Sequence, residues 1–555
     1  MNNRIKHILL LIVGLIAINF VSSNFYQRFD LTADKRYTLS ESAVDIIKEL
    51  ESPILVDVFL EGEHFPSEFR RLQNETRQLL EEFAAENKNI VFNFINPIEE
   101  DATRERNIQQ LTQRGLKPMQ LSVTESGKSS KAMIFPWALA SYNDQTVIIP
   151  LVKNKIGASQ QELVSNSVQH LEYAFADGFS KLIKPKRRKI AILKGNAQLE
   201  DKYIADFVKQ LGDYYFIAPF TLDSVSSSPK QTLEAISKFD LIISAKPTES
   251  FSESEKLVLD QYTMNGGKSL WLIDAVAIEK DSLYNDRGLN VAIPRDLNLT
   301  DFFFKYGVRV NPVMVSTLYS APITLAMGEG SQSQFQHLRW TYSPLAGSSS
   351  NHPIVNNLNL VKFDFANQID TLKNNIKKTV LLESAPLTKL EGTPREVSLD
   401  AVTKEEDPKL FNKGNQTLAV LLEGEFNSVY SNRVKPFYLE KAKDISNPTK
   451  MIIIADGDLI KNDVLRNAPQ ELGFDKWTGQ TYGNKEFLLN AVNYLLDDNG
   501  LINIRSKEIA VAFLNQRKIA VNKTKWQLTN ILLPLVLLSI FGFIFNYLRK
   551  KKYTA

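Results

Sequence analysis

The 555-residue chain contains no cysteine. That absence excludes disulfides, thiolate metal sites, cysteine nucleophiles and dithiol redox chemistry. Histidine is scarce. His7, His64, His170, His337 and His352 stand far apart, no His-Glu-x-x-His pair occurs, and a zinc site is not expected. No Gly-x-Ser-x-Gly elbow is present for a hydrolase nucleophile. An excess of one charge is also missing, since 66 basic and 63 acidic residues leave a net +3. Nucleic acid is therefore not an expected partner, because phosphate binding needs a concentrated basic face. No repeat of fixed period is visible.

What remains is ordinary in bulk and unusual at the ends. A hydrophobic share of 43% and a charged share of 23% fit packed globular domains. The length allows roughly three or four of them, at about 100 to 200 residues each. Two apolar runs break the pattern. His7–Val21 follows Arg4 and Lys6, and Leu528–Leu548 precedes Arg549, Lys550, Lys551 and Lys552. The second matches the roughly 20 residues that span a hydrocarbon core, and Pro534 is tolerable inside a membrane helix. The first reads as an uncleaved anchor, with a signal peptide cleaved near Val21-Ser22-Ser23 as the alternative. Cations outside both runs place the two termini in the cytoplasm, although Lys518, Lys523 and Lys525 weaken the bias. The expectation is a large periplasmic body held at both ends of the chain.

Between the runs, hydrophobic periodicity divides the chain. Residues 1–25 form the anchor and 26–51 a membrane-proximal stalk with a helix. In that helix Thr38 and Glu41 fit a capping box, Ser40 is an alternative cap, and Ala43, Val44, Ile47 and Leu50 make the apolar face. Arg28, Asp30, Lys35 and Arg36 are expected in a short extended stretch at the membrane surface, as contacts for a partner. Over 52–154, strand, helix and strand are followed by Gly115-Leu116-Lys117-Pro118 and a hairpin. This order resembles the thioredoxin fold, which implies a cis peptide at Pro118, and its CxxC is absent from Glu61–Pro66. Residues 155–188 read as a connecting helix (Leu163, Val168, Leu171, Phe175, Phe179, Leu182) that ends before Lys184-Pro185 and a basic joint. Over 189–515, near-continuous apolar strands alternate with helices, the pattern of a doubly wound parallel sheet. There Ser343–Pro353 and Glu391–Asn415 read as loops or insertions. A linker (516–527), the terminal span (528–548) and a cytoplasmic tail (549–555) complete the chain.

Candidate chemistry is thin. Asn265-Gly266-Gly267-Lys268-Ser269 lacks the earlier glycine of a phosphate loop, Tyr262 standing in its place, and a strand rather than a helix follows. A helix stop explains it better. Ala455-Asp456-Gly457-Asp458 follows a strand, at the edge where open α/β sheets bind ligands. Asp456 and Asp458 could hold Mg²⁺ with water completing the shell, or simply make an Asp-Gly turn. No catalytic, cofactor or metal residue is assigned.

The terminal runs, RFDLTADKRYTLSESAVDIIKEL, PILVDVFLEG, FDLIISAKPTESFSESEKLVLDQYTMNGGKSLWLID and MIIIADGDLI stand in an order that resembles the gliding-motility-associated GldG family. These are bacterial ABC transporter accessory proteins, and the resemblance covers essentially the whole chain. It implies a non-catalytic, substrate-binding-like component of the inner membrane of Bacteroidetes-type bacteria, without a cofactor. Its partners would be a permease and, through it, a cytoplasmic ATPase. It also implies a flavodoxin- or amidotransferase-like second body without catalytic residues. The family's Gly-His-Gly-Glu-like turn is replaced here by Gly195-Asn196-Ala197, so no ligand role carries over to that turn. The alternative is an anchored enzyme acting on an envelope polymer, with Asp456 and Asp458 as its acids.

Overall fold

Helix α1 (Glu41–Lys48) begins where the sequence offers a cap, and the cap is Ser40, whose Oγ accepts from the Ala43 N–H at 3.3 Å. Its buried face is Ala43, Ile46 and Ile47, with Val44 half-buried beside them. The structure, a computed structural model, describes residues 11–16, 19, 30, 32, 35–62, 65–100, 102–125, 128–328, 333–497, 500–507 and 516–553. Most of the expected anchor, and Arg28, lie outside the described residues; residues 11–16 are helical. The chain divides into two units, Met1–Ile509 and Ala510–Ala555.

The first sheet of the larger unit has four strands in the order β2-β1-β5-β6: β1 (Ile54–Val58), β2 (Ile90–Phe94), β5 (Trp137–Tyr142) and β6 (Gln145–Pro150). Strands β1 and β2 are parallel because helix α2 (Ser67–Glu86) crosses between them, and β5 and β6 add antiparallel. Helix α4 (Gln160–Ile183) was expected as a connector and instead packs with α2 against this sheet. Phe179 meets Phe83 edge-on at 5.3 Å. Gly178 permits the approach to β6, since a Cβ there would stand 2.7 Å from Ile149 Cδ1. All six apolar residues of the predicted stripe are buried. A capping box of Ser159 and Glu162 starts the helix, and it ends before Pro185.

The hairpin that follows Pro118 does not join this sheet. After α3 (Arg104–Gln113), strands β3 (Met119–Glu125) and β4 (Lys128–Ile134) form a separate two-stranded ribbon. The strand beside β1 is β5, which follows Pro136. Pro118 is not in a cis peptide, and the cis peptide among the described residues is Thr393–Pro394. The expectation failed because two hairpins follow one another in sequence, and it is β5, with Ala138, Leu139 and Ala140 buried, that pairs with β1.

The second sheet has seven strands in the order β8-β7-β9-β10-β18-β17-β15. Five are parallel: β7 (Lys189–Lys194), β8 (Phe216–Thr221), β9 (Leu241–Ala245), β10 (Lys268–Leu272) and β18 (Thr449–Ile454). β17 (Thr417–Gly424) and β15 (Lys377–Glu383) extend it antiparallel. Its inner strands are apolar on both sides because both faces are covered. Helices α5 (Asp201–Leu211) and α9 (Asn484–Leu496) pack on Ile190, Ile192, Ile243 and Leu270. Helices α6 (Pro229–Ile236) and α7 (Glu253–Met264) pack on Ala191, Leu193, Ile242 and Trp271. Gly266, at φ +93°, stops α7 as expected of a helix-end glycine.

Between β10 and β18 the chain builds antiparallel strands above the carboxyl edge of the sheet. β11 (Val308–Thr317) pairs with β14 (Asn367–Thr371) and β16 (Thr388–Gly392). β12 (Ser320–Met327) pairs with β13 (Gln334–Ala346). Residues 343–346, expected in a loop, are the buried end of β13, and 391–392 close β16. The Ser-Pro and Gly-Thr-Pro signals were misleading because tertiary packing claimed these residues for strands.

In the smaller unit, α10 runs from Gln516 to Tyr553, and Val521–Tyr553 is long and apolar enough to cross a membrane. Residues 516–527, expected as a linker, are helical apart from Asn522. They contain neither glycine nor proline to stop a helix.

Candidate functional site

Three loops at the carboxyl edge of the seven-stranded sheet bring together Lys246 after β9, Asp274 after β10, and Asp456-Gly457-Asp458 after β18. This is the edge at which open α/β sheets bind ligands. The centre of the cluster is Lys246, which sequence reasoning missed. It is 3% exposed and takes φ +54°, a conformation unusual for a side chain other than Gly, Asn or Asp. Its Nζ lies 2.6 Å from Glu279 Oε2, 2.6 Å from Asp458 Oδ1 and 3.6 Å from Asp274 Oδ2. Burial alone would lower the ammonium's pKa, but these three carboxylates outweigh it and hold the group above its ordinary value.

The two predicted aspartates meet here and have different tasks. Asp456 is fully buried and accepts the backbone N–H groups of Asp364 and Asp458, each at 2.7 Å. Burial, with Asp274, Asp458 and Asp364 nearby, pushes its carboxyl well above the usual range. Asp458 instead turns to the ammonium. Burial lifts it to about 6 against the pull of Lys246. Gly457 between them donates its N–H to Asp274 at 2.6 Å. A Cβ on Gly457 would stand 2.4 Å from Lys246 Cγ, so glycine is what lets the lysine stem cross the turn. The arrangement combines the Asp-Gly turn with a buried ion cluster. Lys246 supplies the positive charge that a divalent ion would otherwise bring to Asp458, and no set of three metal-ligating side chains is arranged around a common point among the described residues.

Asp458 also borders a cleft of about 1130 Å³ between this edge, strand β12 and the loop that precedes α9. The cleft wall includes Lys280, Lys362, Lys461, Asp364, Phe335 and Trp477. No local motif marks these residues. The one usable signal was the pair of acids at the end of β18.

A second constellation joins the two chain segments that lead toward the ends. Glu172 on α4 is buried. Its Oε1 accepts the Ser40 N–H at 2.7 Å, and its Oε2 pairs with Lys507 Nζ at 2.6 Å. Lys507 also donates to the Thr38 carbonyl at 2.8 Å. Nearby, the buried Arg505 binds Glu486 at 2.7 Å and stacks over Tyr173. Lys153 pairs with the same Glu486. Burial opposes ionisation of Glu486, but Lys153 and Arg505 hold its carboxyl down at about 2.

The described part of the segment expected to be extended instead forms a turn around Asp30, which leads into the contacts of Thr38 and Ser40. Asp30 accepts from Thr32 N (2.9 Å), Tyr37 N (2.9 Å) and the hydroxyls of Thr32 (2.5 Å) and Thr38 (3.1 Å). Burial would raise its pKa, but these bonds outweigh it and hold the carboxyl below its ordinary value. Lys35 sits at φ +47° in the resulting turn and is exposed, and Arg36 follows it with its N–H on Thr32 Oγ1 at 3.2 Å.

The fold and cluster define an α/β body with a buried ion cluster at the carboxyl edge of its parallel sheet, in a chain that also carries one helix long and apolar enough to cross a membrane. Residues 187–491, more than half of the chain, match the model of a family described as an ABC-type uncharacterized transport system, and the chain belongs to that family of transporter accessory proteins. Residues 33–141 match a domain of unknown function, DUF7088. A protein of Borreliella burgdorferi described as uncharacterized is 18% identical over 561 residues, covering all of both chains. Among solved structures, an mmIFT52 N-terminal domain is similar over 56% of this chain and 97% of its own, at 13% identity and a TM-score of 0.30. So low a score carries no argument about fold or role.

Proposed function

We propose that the chain is the non-catalytic, membrane-anchored component of an ABC transporter of the gliding-motility kind, as in Bacteroidetes-type bacteria. Its large body lies in the periplasm, and both termini lie in the cytoplasm. It works with a permease and, through it, an ATPase, and binds solute or partner proteins outside the membrane. The observation that carries this reading is the family match over 187–491, which takes in the whole carboxyl-edge cluster. The apolar helix at Val521–Tyr553 supports an anchor.

The strand order β2-β1-β5-β6 supports a thioredoxin-like scaffold without its dithiol, and the five parallel strands support a flavodoxin- or amidotransferase-like one. The engagement of Asp456 and Lys246 by their neighbours favours a structural cluster over a catalytic one. Among the stalk candidates, exposed Lys35 and its neighbour Arg36 suit a permease contact, whereas Asp30 serves the turn. One observation favours the envelope enzyme, namely a carboxyl at about 6 on the wall of a cleft. The double asparagine variant described below separates the two.

Topology tests the proposal. Reporter fusions after residue 25 and near residue 500 should both report periplasm, and a fusion at the C-terminus should report cytoplasm. A cytoplasmic signal near residue 500 would overturn the architecture.

A further inference from the structure

The cleft beside Asp458 differs from the cluster behind it in how its charges are satisfied. Lys246 has two carboxylate oxygens at 2.6 Å. In the cleft, Lys362 reaches Asp364 only at 3.5 Å, and Lys461 reaches Asp281 and Asp458 at 3.6 and 3.9 Å. Lys280 makes no ion pair among the described residues. Burial lowers the pKa of Lys280, as expected of an ammonium short of partners. Lys280 therefore faces this space without an ion pair, while Lys362 and Lys461, which neighbouring carboxylates hold above their ordinary values against burial, are paired only at 3.5 Å or more, and an anionic group entering the space would supply closer acceptors.

The remainder of the wall narrows the anion. Six cations and six carboxylates line the cleft, so a polyphosphate would meet as much repulsion as attraction. The phosphate cradle of such folds is also missing, because a Cβ at Gly195 would stand 2.7 Å from Asp223 Oδ1, which occupies the space beside that turn. A single carboxylate on a hydroxyl-rich ring fits better. Its charge would pair with the lysines, and its hydroxyls could donate to Asp463 and Asp475. Its apolar face has a platform, since the rings of Phe335 and Trp477 lie 5.0 Å apart and both are substantially exposed.

We infer that this cleft binds an acidic sugar, a uronic-acid residue or an oligosaccharide carrying one. Lys280, Lys362 and Lys461 hold its carboxylate, and Phe335 with Trp477 hold its ring. This deepens the proposed function and rests on that reading only for where the ligand would be met.

Calorimetric titration of the full chain in detergent with galacturonic acid, which carries one carboxylate, tests it at low salt. The acid should bind, and neutral galactose and inorganic phosphate should not compete. Lys280→Met, which removes a charge-assisted contact, and Trp477→Ala, which removes the ring platform, should each weaken binding about 10-fold. Unchanged thermal unfolding of both variants checks that the fold is intact. Absence of binding, equal competition by phosphate, or full binding by both variants would overturn the inference. The fusion experiment reports on topology alone, so a failed topology with intact sugar binding refutes the functional reading and leaves the cleft assignment standing.

Discussion

Glu172→Gln removes one charge from a buried position without changing its shape, and its consequence can be worked from the contacts. The amide oxygen can still accept from Ser40 N–H, but the amide nitrogen presents a donor to the Lys507 ammonium 2.6 Å away. Breaking a fully buried pair costs about 3 to 5 kcal/mol. Lys507 retains 19% side-chain exposure and its bond to the Thr38 carbonyl, so it can turn partly to water. A cost of about 2 kcal/mol follows. It should fall locally, because Glu172 ties two terminal segments to α4 and takes no part in either central sheet. Hydrogen exchange of the full chain in detergent reads it directly. Amides of α1 and of residues 501–507 should exchange about 30-fold faster, with β7, β9 and β10 unchanged. Unchanged protection of α1, or an equal loss throughout the seven-stranded sheet, would refute the reasoning.

Gly457→Ala forces a methyl group onto the Lys246 stem at 2.4 Å and should cost about 1 to 3 kcal/mol in denaturant unfolding, and an unchanged midpoint would show that the turn can move aside. The raised carboxyl of Asp458, about 6 when folded against an ordinary 3.8, means that the folded state binds this proton more readily than the unfolded chain. Its contribution to stability therefore falls as pH rises from about 4 to about 6. Relative to Asp458→Asn, the native chain should be more stable at pH 4 than at pH 7, and a constant or opposite difference would contradict the assignment. Asp456→Asn with Asp458→Asn should leave transport or gliding intact at some cost in stability. Loss of function with normal protein level and folding would favour the envelope enzyme.

Much of the architecture was legible because it rests on local periodicity. The apolar strands of the parallel sheet, the buried stripe of α4, the glycine stop of α7 and the terminal apolar helix all repeat at spacings a single segment displays. Asp456 and Asp458 were legible for a related reason, since they follow a strand at the edge where ligands gather. Lys246 was not. Its partners lie 33 and 212 residues away, and nothing in Ala245-Lys246-Pro247 marks a buried ammonium. In the stalk the helix and its Ser40 cap were legible, but the turn around Asp30 and the bond from Ser40 to a glutamate 132 residues further on were not. The Pro118 expectation failed on pairing rather than on strand content, since sequence alone did not say which of two hairpins lies beside β1.

The central claim, that this chain works as an accessory subunit of an ABC transporter, is tested most directly by purifying the full chain from membranes crosslinked in intact cells and solubilised in mild detergent. Mass spectrometry should find an ABC permease and its ATPase in comparable amounts to the chain, and both should be lost when the terminal helix is replaced by an unrelated membrane span and residues 26–38 by a Gly/Ser segment of equal length. Recovery of the chain without either subunit would contradict the account.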